Sequence, residues 1–182
     1  MKKILALGGS NSYDSINRKF AYYVASLFTD VEIVGYDLST VDIPLYSKQL
    51  EEKIGLPETV ADFAKQIDEI DFIVLSLAEN NGNFNAGFKN LMDWTSRIKD
   101  RKIFAQKPML LMATSPGARG GSSVLEIANK LFPFHGALVQ NWFSLPKFDE
   151  NFDAAHGIIN TELNTQLQTI INDIQEKLWK SE

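Results

Sequence analysis

The sequence predicts a three-layer α/β protein: a doubly wound parallel sheet of five strands with helices on both faces. Two observations carry this. Short apolar runs alternate with longer segments of helical period, the pattern of successive βαβ units. The runs are apolar at nearly every position rather than at every second one, as a sheet covered on both faces requires. A chain of 182 residues fits one domain over 1–182, because single cores stop growing at about 250–300 residues.

The elements follow in order. Lys3–Leu7 reads as the first strand, and Ser15 is placed to cap a helix over Ser15–Phe28. Val31–Tyr36 is the second strand, and Leu38–Leu56, with Pro44 and Gly55, reads as a long connection. Pro57 suits the first turn of a helix over Pro57–Ile70. Phe72–Leu77 is the third strand, with a helix at Asn85–Arg97; Pro108–Ala113 is the fourth, with a helix at Ser122–Leu131 that Ser122 or Ser123 can cap. After the fifth strand, Ala137–Phe143, comes a last helix over Thr161–Trp179. Its Leu163, Leu167, Ile170, Ile171, Ile174 and Leu178 share one stripe, and Thr161 is the expected cap. The charges of Lys177–Glu182 read as its solvated end.

Composition narrows the function. There is no cysteine, which excludes disulfides, thiolate metal sites and a cysteine nucleophile. The two histidines are not spaced as ligands on one helix; His135 reads as a turn or core-edge residue and His156 as a surface one. Trp94, Trp142 and Phe143 read as core or interface groups. No apolar run suits a signal peptide or a membrane span, so a cytoplasmic protein without a membrane partner is expected. A net charge of −5 opposes nucleic acid. It also means that any bound phosphate is held by backbone N–H groups and hydroxyls rather than by a field of lysines.

In an open parallel sheet the ligand crevice lies outside the carboxyl ends of the strands. Three loops there hold the candidate residues. Gly8–Asn17 offers two glycines, serine hydroxyls and a helix start whose unpaired N–H groups favour anions. It carries neither the P-loop lysine nor the dinucleotide glycine spacing. Leu77–Gly87, rich in Asn and Gly, favours positive φ and backbone amides that can face the polar edge of a flat ring. Thr114–Ser123 has three glycines among small hydroxyl residues, so its backbone can approach a ligand closely. Each loop alone also reads as a permissive turn; three at successive strand ends argue for a site.

In the order of these motifs the chain resembles the NADPH-dependent FMN reductase family, a flavodoxin-like group of FMN, quinone, azo-dye and chromate reductases. Gly9-Ser10, Ser15 and Asn17 fall on the family's first loop, Asp37-Leu38 and Pro44-Leu45-Tyr46 on the stretch after strand two. Glu79, Asn81 and Lys89-Asn90-Leu91-Met92-Asp93-Trp94 echo its second loop and following helix, and Ser115-Pro116-Gly117-Ala118-Arg119-Gly120-Gly121 matches its third. Departures are Ser12 for Arg, Ala78 for Pro and Asn80 for Tyr.

The resemblance implies strand order 2-1-3-4-5 and an oxidoreductase, a flavoprotein that moves hydride from NAD(P)H to FMN and on to a small-molecule acceptor such as a flavin or quinone. Ser10, Ser12, Ser15, Ile16 and Asn17 would hold the FMN phosphate. Glu79, Asn80, Asn81, Gly82, Asn83 and Phe84 would line the isoalloxazine edge, with Ser115, Gly117, Gly120 and Gly121 on the opposite side. It implies no catalytic side chain, no metal, and a homodimer or homotetramer. Two other readings of the same scaffold are an electron carrier that keeps FMN without NAD(P)H turnover, and a flavin-free regulatory protein.

Overall fold

The computed structural model describes residues 1–179, the side chain of Trp179 excepted; of the expected helix end, residues 180–182 lie outside the described residues. In chain order the elements are β1 (Lys2–Gly9), α1 (Ile16–Ser26), β2 (Val31–Tyr36), α2 (Lys48–Ile54), α3 (Glu58–Glu69), β3 (Phe72–Leu77), β4 (Glu79–Asn80) and β5 (Asn83–Phe84). They continue as α4 (Ala86–Thr95), β6 (Lys107–Thr114), α5 (Ser122–Leu131), β7 (Ala137–Leu145), α6 (Phe148–Asn151), β8 (Phe152–Asp153), β9 (Gly157–Ile158) and α7 (Thr161–Trp179).

The main sheet runs β2-β1-β3-β6-β7, every neighbour parallel, which is the order expected for the five core strands. Strand periodicity divides the core in two. Leu5, Leu7, Leu75, Leu77 and Leu111 face Phe63 of α3, Leu91 of α4 and Leu125 of α5. Ile4, Ala6, Val74 and Met112 face Phe20 and Val24 of α1 and Leu167 and Ile171 of α7. Both faces of β3 are fully buried, which is why its sequence shows no alternation.

The structure departs from expectation in several places, among them the short β4–β5 and β8–β9 pairs and the helix α6, none of which the sequence predicts. The segment 38–56 is not a bare connection: it holds a 3₁₀ turn at Leu38–Thr40 and the helix α2. Ser47 caps α2, its Oγ accepting from Leu50 N at 3.1 Å, and Gly55 at φ 73° ends it. No residue of α2 is buried, so it carries no apolar stripe by which a helix is read. The cap of α7 is Asn160, whose Oδ1 accepts from Leu163 N at 3.1 Å, one residue ahead of Thr161. Neither Ser122 nor Ser123 caps α5, whose cap position is Gly121 at φ 77°.

Trp94 is fully buried and donates Nε1–H to the Pro44 carbonyl at 2.7 Å; Phe143 is also core, whereas Trp142 is half exposed. His135 sits half-buried in the turn before β7, and burial first, then the charge of Lys89, lowers its pKa. Among the described residues no cluster of His, Asp or Glu could hold a metal, and no helix is long and apolar enough to cross a membrane.

Candidate functional site

At the carboxyl edge the strand order turns back on itself: the chain leaves β1 for β2 on one side and returns to β3 on the other. That switch point leaves a crevice between the loops after β1 and β3. A cleft of about 200 Å³ opens there. It is lined by Ser10, Ser12, Asp14, Ser15, Ile16 and Asn17 after β1, by Ala78, Glu79 and Asn80 after β3, and by Thr114, Ser115 and Pro116 after β6.

The first wall presents hydroxyls and backbone N–H groups. Ser15 caps α1, its Oγ accepting from Arg18 N at 3.1 Å, and Ser10 Oγ accepts from Ser12 N at 3.2 Å. Both hydroxyls therefore keep their protons. The backbone N–H groups of Ile16 and Asn17, in the first turn of α1, have no acceptor among the described residues. Gly8 permits the close seating of this turn, since a Cβ there would lie 2.6 Å from Arg18 Cα.

Asn17 plays a different part from a simple ligand. Its Oδ1 accepts from Ser76 Oγ at 2.7 Å and from Thr114 N at 3.0 Å, and its Nδ2 donates to the Thr114 carbonyl at 3.1 Å. The side chain staples α1 to β3 and β6 beneath the cleft, leaving one Nδ2 proton uncommitted.

The second wall is a hairpin, β4 and β5 paired antiparallel across Asn81 at φ 52° and Gly82 at φ 75°. The positive φ expected of this loop is present, and the Asn-Gly pair is the type I′ hairpin signal. Asn80 Oδ1 accepts from Asn85 Nδ2 at 3.1 Å, and Asn83 Oδ1 accepts from Phe84 N at 2.8 Å. The Phe84 ring does not reach the cleft. It is buried and stacked on Phe132 with centroids 5.7 Å apart, and Phe84 is not among the residues that line the cleft.

Glu79 has the least expected placement. Its side chain is 10% exposed, its Oε2 accepts from Val124 N at 3.2 Å, and its Oε1 lies 3.5 Å from Arg119. A carboxylate from the hairpin thus caps α5, where Ser122 or Ser123 was the sequence candidate, and satisfies the helix dipole.

In the third wall Ser115 Oγ donates to the Gly117 carbonyl at 3.3 Å, and that carbonyl also accepts from Gly120 N and Lys147 N. Gly120 and Gly121 are buried, at φ 57° and 77°. A Cβ on Gly120 would lie 2.8 Å from Pro146 N, and one on Gly121 2.7 Å from Ala113 Cβ. These two glycines shape the loop rather than line the cleft.

The sequence candidates omitted Asp14, Ala78, Thr114 and Pro116, which also line the cleft. Asp14 pairs with Lys19, whose hydrogen bond and charge hold its carboxyl below the usual range. No feature of the sequence signals that pairing. Thr114 spends its hydroxyl on the Leu145 carbonyl at 2.7 Å.

A family model described as NADPH-dependent FMN reductase matches residues 2–150. The quinone reductase of Escherichia coli (strain K12) is 32% identical over 134 residues, 74% of this chain. The match spans 66% of that relative's length, just under two thirds. The 2-hydroxy-1,4-benzoquinone reductase of Burkholderia sp is 28% identical over 175 residues, covering 93% of this chain and 92% of that one. Among solved structures, FerB, a flavoenzyme NAD(P)H:(acceptor) oxidoreductase from Paracoccus denitrificans, shares the fold with a TM-score of 0.78 at 22% identity, over 99% of this chain and 98% of that one. With the flavodoxin-like sheet and a family match over most of its length, this chain belongs to the NADPH-dependent FMN reductase family.

Proposed function

We propose that residues 1–182 form one FMN-binding domain that takes hydride from NAD(P)H and passes electrons to a small-molecule acceptor, a flavin, quinone or similar compound. The observation that carries this reading is the start of α1: open N–H groups at Ile16 and Asn17, beside hydroxyls with protons to give, at the base of a switch-point cleft. Ser10, Ser12 and Ser15 with those two N–H groups would hold the phosphate through neutral donors, as the net charge of −5 requires.

A cleft of about 200 Å³ takes a phosphate and a polyol chain, and it leaves a ring at its mouth between the hairpin and residues Ser115–Gly117. There the N–H groups of Asn80–Asn83 would face the polar edge of the ring and stabilise charge that develops on it. Glu79, Gly120 and Gly121 would act by holding the two walls in place. Bound in this way, the flavin would supply the two-electron chemistry between reduced nicotinamide and acceptor, and the reading assigns no catalytic side chain. Two relatives named for quinone reduction support a quinone-type acceptor. The reading places the protein in the cytoplasm as a homodimer or homotetramer.

The test is a visible spectrum of protein mixed with FMN, filtered free of unbound flavin and followed anaerobically with NADPH or NADH. Retained colour that bleaches supports the reductase and ranks the donors. Colour that persists with both nucleotides replaces it with an electron carrier. Absence of both retained flavin and turnover in excess FMN overturns it.

A further inference from the structure

Resting on the reading of Ser10–Asn17 as the phosphate loop, we infer that Arg18 is a positioning residue that locks this loop with a backbone N–H, instead of a carbonyl, presented to the flavin phosphate. Residues Asn11–Asp14 are all exposed, and the Tyr13 side chain makes almost no packing contact at 82% exposure. Burial therefore does not hold the middle of the loop. The Arg18 guanidinium does, with Nη2 donating to the Tyr13 carbonyl at 2.5 Å.

The trans peptide sets the Asp14 N–H opposite to the Tyr13 carbonyl it is bonded with. Fixing that carbonyl on Arg18 turns the N–H the other way, and Asp14 is a cleft-lining residue. Arg18 is itself anchored from behind. Its Nη1 pairs with Asp37 Oδ2 and donates to Ser39 Oγ at 3.1 Å, while Asp37 Oδ1 accepts from Ser39 N at 3.0 Å and from its hydroxyl at 2.6 Å. The fork thus ties the loop after β1 to the 3₁₀ turn after β2, and only a planar guanidinium spans both groups at once. Arg18 is the cation nearest the loop in sequence, yet it is committed to Asp37 and Tyr13 rather than offered to a ligand.

The test is flavin affinity by fluorescence quenching in Arg18→Met, Arg18→Lys and Asp37→Asn, with FMN and riboflavin as paired ligands. In R18M the dissociation constant for FMN rises about tenfold, the cost of ordering a freed peptide, while that for riboflavin and the kcat at saturating FMN stay within about twofold. R18K behaves like R18M, because an ammonium cannot hold both partners. D37N also weakens FMN binding, by unseating the fork.

Unchanged FMN affinity in R18M would overturn the inference. So would tighter FMN binding in D37N, which would make Arg18 a direct phosphate ligand restrained by Asp37. An equal loss for FMN and riboflavin would reduce Arg18 to a fold-stabilising role. Should R18M not fold, R18K and D37N decide between these outcomes. Failure of the wild-type protein to bind FMN at all is separate and counts against the functional reading instead.

Discussion

Replacing Asn17 with Ala separates a structural staple from a mere ligand. Asn17, Ser76 and Thr114 are all buried, at 3%, 0% and 1% exposure. The amide makes three hydrogen bonds, two accepted and one donated. Alanine strands the Thr114 N–H and its carbonyl, and each unpaired buried group costs about 1–3 kcal/mol. Ser76 can re-aim its hydroxyl, and water from the adjoining cleft can reach one of the stranded groups. The expected loss is therefore about 3 kcal/mol, or about 6–12 °C in Tm for a protein of this size. Ser76→Ala removes one donor while Oδ1 keeps Thr114 N, so it should cost only about 1 kcal/mol. The assay is urea unfolding of the flavin-free protein, followed by far-UV circular dichroism. A loss below about 1 kcal/mol in N17A, or an S76A as damaging as N17A, would refute the staple and return Asn17 to a ligand role alone.

The same unfolding assay should show Gly120→Ala destabilised by about 3 kcal/mol, from left-handed strain plus the clash at Pro146, with Gly117→Ala, whose Cβ meets only Ser115 Oγ at 3.9 Å, within about 0.5 kcal/mol of wild type. His135 has a folded pKa below 6.5, so the unfolded chain takes up the proton first; the urea midpoint should fall as pH drops below 6.5 toward the folded value, and His135→Gln should lose that slope. Among the described residues no lysine or arginine lines the cleft while Asp14 and Glu79 do, so FMN affinity, measured by titration in rising NaCl, should hold or increase; a drop of about tenfold would reveal a cation in contact with the phosphate.

The buried strands were legible because parallel strands must be apolar on both faces, and β1, β3 and β6 are. The helices α1, α3 and α7 were legible because each buries one stripe against the sheet. What escaped notice lacks such a signature. The helix α2 buries nothing, and only Ser47 and Gly55 mark its ends. The cap of α7 slipped by one residue because Asn160 and Thr161 are both competent caps and only geometry chooses. At the site, the three loops and their positive φ were readable from Gly and Asn content, but the division of labour within them was not. Glu79 was readable as a lining residue, which it is, but not as the cap of α5, whose start the fold brings to it from 45 residues along the chain. Gly120 looks permissive until Pro146 comes within reach. These are long-range facts, and spacing along the chain does not encode them.

The distribution of charge ties these points together. The expectation that neutral donors hold a phosphate came from a net charge of −5, and single residues of the structure bear on it. Three basic groups of α1 and the third loop are engaged with acids: Lys19 with Asp14, Arg119 with Glu79, Arg18 with Asp37. Two of those acids sit on the cleft itself, where a bare carboxylate would repel a phosphate. Pairing each with a cation offsets part of that repulsion, although Lys19 and Arg119 both stay solvent-exposed. In the proposed site the helix start would then act through its dipole and its open N–H groups. Geometry, more than charge, would set affinity at such a site, and residues that only hold backbone in place, Arg18 and Asn17 foremost, become as important to binding as any group that touches the ligand.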